Sequence, residues 1–89
     1  MFLMFNLFVP EIIMKLEEKI SRTLIQLRYQ DVFATLTKKE VAEEAGICVK
    51  YYSKLEKGEA MPSIGVIESI AKVYNKKLSE LVKLIEEQG

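Results

Sequence analysis

A length of 89 residues, with 49% hydrophobic and 29% charged side chains, describes an ordinary globular chain, large enough for one hydrophobic core and too small for two domains. One cysteine and no histidine exclude an intramolecular disulfide and a Cys/His zinc site, and they remove the commonest general base, so composition points away from an enzyme and from any cofactor. The balance of 13 basic against 13 acidic residues excludes nucleic-acid binding by bulk charge alone and shifts the question to where the lysines point.

The opening segment MFLMFNLFVP is apolar, but it falls well short of the roughly 20 residues that span a bilayer. It also lacks the positive start and small-residue cleavage site of a secretory signal, so no membrane partner is expected and the expected location is cytoplasmic. Residues 1–13 read as an N-terminal extension to a domain at 14–89. Two readings of the extension stay open: a translated segment upstream of Met14, or an apolar strip that packs on the domain or on a second subunit.

From Glu11 to Tyr29 the residues Ile13, Leu16, Ile20, Leu24 and Leu27 recur at steps of three and four, the period of an amphipathic helix. A connection through Asp31, Val32, Phe33 and Ala34 leads to Thr37, an N-cap whose capping box is completed by Glu40, and a second helix runs from Lys38 to Ala45. Gly46 supplies the positive φ that closes it, Ile47 follows as a buried plug, and a third helix runs from Val49 to Lys57, stopped by Gly58. After the loop GEAMPS, Pro62 and Ser63 start a fourth helix with Ile64, Ile67, Ile70, Ala71 and Tyr74 on its apolar face and Asn75 at its end. A last helix from Leu78 to Glu87 sets Leu78, Leu81, Val82 and Ile85 on one side. No stretch alternates with the period of a strand, and the expectation is an all-α fold of five helices.

The segment LTKKEVAEEAGICVKYYSKLEKG, Leu36 to Gly58, places two short helices around a glycine-containing turn. That is the layout of a helix-turn-helix, whose second helix lies in the major groove of double-stranded DNA while the first crosses the backbone. Val41, Ala42, Ala45, Ile47, Tyr52 and Leu55 are the inward positions, and Ala42 must be small for the two helices to cross closely. Lys50 and Lys54, four apart, share a face opposite Tyr52 and Leu55. A lysine can donate to guanine O6 and N7, and Val49 can meet a thymine methyl. The plain reading of the same lysines is a solvated helix surface.

With the helix-one pattern of Ile20, Leu24, Leu27 and Arg28, the LTKKEVAEEAGI block, the SKLEKG end of helix three and the MPS-to-SELV block, the chain resembles the phage repressor and Cro family from about Ile20 to Leu81. The resemblance implies a five-helix, phage-repressor-like DNA-binding domain that acts as a homodimer on a palindromic operator. It implies base reading by Val49, Lys50 and Lys54, and phosphate contact by Lys38. It also implies a structural ion pair between Arg28, late in helix one, and Glu56, late in helix three. Tyr51 stays open between a phosphate contact and the rim of the core. Cys48, at the cap of helix three, stays open between a tolerated small residue and a redox-sensitive thiol.

The leading function is a sequence-specific transcriptional regulator that represses by occupying its operator. Two alternatives remain: the antitoxin of a toxin–antitoxin pair, with a toxin as protein partner, and an interaction adaptor that has lost DNA binding. The expected dimer surface is the C-terminal helix, through Leu81, Leu84 and Ile85, with the N-terminal extension as a possible addition.

Overall fold

The computed structural model describes residues 14–31 and 34–89. Among the described residues all regular structure is helical: α1 Leu16–Tyr29, α2 Lys38–Ala45, α3 Val49–Glu56, α4 Ile64–Val73 and α5 Leu78–Glu86. Helix α1 packs on α3 and α5, α2 packs on α3 and α4, and α4 packs on α5. Every helix contributes to one core: Ile20, Leu24 and Leu27 from α1, Val41, Ala42 and Ala45 from α2, Tyr52 and Leu55 from α3, Ile70 and Ala71 from α4, Leu81 and Ile85 from α5.

Both ends of α2 follow from its sequence. Thr37 Oγ1 accepts the backbone N–H of Glu40 at 3.1 Å, and Glu40 Oε1 accepts that of Thr37 at 2.8 Å, so the box satisfies two donors a helix start would leave open. Three helices stop by one device. Gly46, Gly58 and Asn75 have φ of 75°, 72° and 56°, and the residue after each sends its N–H back to a carbonyl of the last turn: Ile47 to Ala42, Glu59 to Lys54, and Lys76 to Ala71, all at 2.9 Å. At Gly46 a Cβ would meet nothing within 4 Å, so conformation and not space calls for glycine there.

Several expectations are corrected. Helix α1 starts at Leu16, not near Glu11. Met14 and Lys15 lie outside it, because the Glu18 carboxylate takes up the Lys15 N–H at 3.1 Å and fixes the start there, while Ile13 falls outside the described residues. Lys57 caps α3 instead of ending it, and Glu87 caps α5. Leu16, Ile64 and Val82, expected on buried faces, are 52%, 70% and 37% exposed, because each sits at the edge of its apolar stripe or in a first turn beyond the reach of the neighbouring helices. Ile47 is half-buried. Leu81 and Ile85, expected at a subunit contact, are consumed by the chain's own core, and Leu84 is half-buried.

One polar cluster is built into this core. Arg28 Nε donates to Glu56 Oε2 at 2.6 Å and Nη2 donates to Oε1 at 2.9 Å, a two-pronged fork with both side chains buried. The Tyr52 hydroxyl donates to the same Oε2 at 2.5 Å, the third guanidinium nitrogen donates to the Leu36 carbonyl at 3.2 Å, and Ser21 Oγ donates to the Glu56 carbonyl. The fork ties α1 to the end of α3 and to the chain entering α2. The hydrogen bond to Glu56 holds the Arg28 proton more tightly than in a free side chain. Burial, and next the hydrogen bond to the Glu56 carboxylate, push the Tyr52 phenol up. Burial, followed by the Glu56 charge, pushes Tyr74 up to about 12, and its hydroxyl is buried without a partner among the described residues.

Removing one side of the fork leaves the other charge buried and unpaired. Arg28→Ala or Glu56→Ala is therefore expected to cost about 3–5 kcal/mol, seen as a lower denaturation midpoint with an unchanged slope. The tyrosines set an alkaline limit. Both phenols hold their protons more tightly folded than unfolded, where the pKa is about 10, so their contribution is complete below that pH and is lost as the pH rises above it, through about 12 for Tyr74 and further still for Tyr52. Tyr74→Phe removes an unsatisfied hydroxyl, so its melting temperature at neutral pH should be no lower than that of the parent and should fall less steeply above pH 10.

Candidate nucleic-acid interface

The eight residues of α3 divide by face. Tyr52, Leu55 and Glu56 are buried, the first two at 0% exposure, and they fix the helix in rotation and tilt. The opposite side leaves Val49, 44% exposed, in the first turn, with Lys50 and Lys54 exposed one turn apart. Tyr51 is half-buried and packs against the rim of the core, which leaves its phenol the smaller part of the outer surface. Lys57, exposed at the helix cap, continues the line of Lys50 and Lys54 by a further step of three. The reading of the sequence passed over Lys57, although its spacing from Lys50 was the signal.

Lys38 is half-buried as the first residue of α2, with the exposed Lys39 beside it. Helix starts carry free N–H groups and the positive end of the helix dipole, so the lysine side chains and the backbone there favour an anion together. The packing of α2 on α3 joins these two basic sets through one helix pair. The acidic side chains of Glu40, Glu43, Glu44 and Glu59 are also exposed, so acidic residues alternate with the lysines along this stretch of the sequence.

Cys48 occupies the N-cap of α3 and is exposed. The backbone N–H groups of Tyr51 and Lys50 favour its thiolate and hold the thiol below its ordinary pKa. Its thiol makes no capping hydrogen bond, so this helix start lacks the clasp that Thr37 gives α2 and Ser63 gives α4, where Ser63 Oγ accepts the Val66 N–H at 3.2 Å. Among the described residues no group of three His, Cys, Asp or Glu side chains stands together to hold a metal, and no helix is long and apolar enough to cross a membrane.

No curated protein matches the chain. The family described as Helix-turn-helix matches residues 34–81, from the approach to α2 into the first turn of α5, and so covers the α2–α3 pair and more than half of the sequence. Helix α1, whose Arg28 clamps α3, lies outside the matched stretch. With α2 capped at Thr37, turned at Gly46 and crossed by an α3 whose inner face is buried and whose outer face carries the lysines, the chain belongs to the Helix-turn-helix family, whose members are DNA-binding regulators.

Proposed function

We propose that the protein is a sequence-specific transcriptional repressor that binds a palindromic operator as a homodimer, with α3 of each copy in the major groove. The observation that carries this reading is the division of α3: a buried inner face and a fork at Glu56 hold it rigidly, and Val49, Lys50 and Lys54 are left outward along one edge. In the groove Lys50 and Lys54 donate to guanine O6 and N7 and Val49 packs on a thymine methyl. Lys38 and the start of α2 meet phosphate, which sets the register of the reading helix without carrying sequence information.

Dimerisation follows from size. A single eight-residue helix touches only a few base pairs, and two copies on half-sites about one helical turn apart supply the specificity one copy lacks. The antitoxin and adaptor readings use the same fold with a protein partner. They part from the repressor reading by salt: operator affinity falls steeply with ionic strength, and adaptor binding has no such requirement.

Sites selected from a random DNA pool should contain a two-fold repeat. On such a site Lys50→Ala with Lys54→Ala should weaken binding by at least about tenfold while helical content and melting stay unchanged, since both side chains point away from the core. Unchanged affinity would sink the groove assignment. A phosphate contact behaves differently: Lys38→Ala should weaken binding by a similar factor on every sequence and reduce the slope of log affinity against log salt by about one. Loss confined to the selected site would instead make Lys38 a base reader.

A further inference from the structure

The apolar stripe of α1 outruns its cover. Leu16 stands four residues before Ile20, on the side of the helix that Ile20, Leu24 and Leu27 turn to the core, yet it is 52% exposed while those three are buried. Two close approaches bracket it in the chain. The Glu17 carbonyl lies 3.7 Å from the position a Cβ on Gly58 would take, which sets the first turn of α1 against the end of α3. The Met14 sulfur lies 3.3 Å from the corresponding position on Gly89, so the chain entering α1 rests against the chain leaving α5. Leu16, between these two contacts, is left half open. Val82, 37% exposed, is the uncovered apolar side chain of α5, the helix packed on α1.

We propose that residues 1–13 of the same chain cover this mouth, closing the core over Leu16 and Val82. Ten of these thirteen side chains are apolar, all but Asn6, Pro10 and Glu11, and an apolar surface of that extent needs cover in water. The segment is joined to Met14, which already lies at the mouth. Its reach is ample, since thirteen extended residues span about 40 Å.

Size decides between the chain's own segment and a separate partner. A stable contact between separate molecules buries about 1,200–2,000 Å², far more than a half-open leucine and a valine offer. A segment tethered beside them is held there at about millimolar effective concentration and needs no such area. The Helix-turn-helix match at 34–81 contains neither this segment nor α1, so the cover is a feature of this chain and not of the shared motif. It does not depend on the reading of the DNA surface.

The test uses the 89-residue chain, which has no tryptophan, so Phe8→Trp or Phe5→Trp gives a single reporter inside the segment. The emission should be blue-shifted from that of free tryptophan, shielded from acrylamide and independent of protein concentration. Adding Leu16→Lys with Val82→Lys should abolish both the blue shift and the shielding. Circular dichroism should show unchanged helix content in that variant, because neither side chain is part of the buried core. Ile25→Lys on α1 and Ile64→Lys at the start of α4 replace exposed apolar residues elsewhere and should leave the emission as it was.

Exposed emission from both reporters in the otherwise unchanged chain would overturn the proposal. So would a blue shift that survives Leu16→Lys with Val82→Lys, or one that Ile25→Lys or Ile64→Lys abolishes, since the segment would then lie on another face. A blue shift that grows with protein concentration would give the covering role to a second copy and overturn the cover within one chain.

Discussion

The buried fork between Arg28 and Glu56 is the constraint on which the placement of α3 depends. A carboxylate inside a core is tolerable only when its oxygens are met, and here they receive two guanidinium donors and the Tyr52 hydroxyl. Because those donors come from α1 and from α3 itself, the charge can be satisfied in one relative orientation of the two helices. A purely apolar contact would hold the helices as strongly with more freedom to slide. The same guanidinium holds the Leu36 carbonyl, so the approach to α2 is set by the group that sets α3, and the two helices of the motif share one reference point.

With α3 held, the chemistry outside it is plain. In a chain of zero net charge, five of the 13 basic residues belong to the two helices of the motif: Lys38 and Lys39 at the start of α2, and Lys50, Lys54 and Lys57 along α3 and its cap. The exposed set contains no Arg, Asn or Gln, the side chains whose flat, paired groups fit one base edge. Lysine offers a mobile point charge instead.

Much of this was legible in the sequence because the signals were local. Thr37 with Glu40, Gly46, Gly58, and Ser63 after Pro62 each fixed a helix boundary through backbone geometry alone, and those boundaries hold to within a residue. The division of α3 into faces followed from the period of a helix. Periodicity was silent about how far each apolar stripe is covered. Ile64 and Val82 satisfy the pattern as well as Ile70 and Leu81 do, yet only the second two have another helix against them. The start of α1 was misplaced for a similar reason: Ile13 and Leu16 extended the pattern toward Glu11, whereas the Glu18 carboxylate held the Lys15 N–H. The assignment of α5 to a subunit contact failed on Leu81 and Ile85 because sequence counts apolar residues on a helix and cannot tell which neighbour claims them.

The short lengths of α2 and α3, eight residues each, bear on how the protein meets temperature. Helices of two turns do not persist alone in water, and these two exist because α1, α4 and α5 hold them. No part of the reading surface can therefore outlast the domain, and no folded remnant without α1 keeps Lys50 and Lys54 on an ordered edge. Occupancy of DNA is coupled to the global folding equilibrium and not to a local one. As the temperature approaches the melting point of this domain, DNA occupancy should fade as steeply as the cooperative transition itself, so that the thermal stability of a ten-kilodalton fold also sets the temperature range over which it can hold DNA.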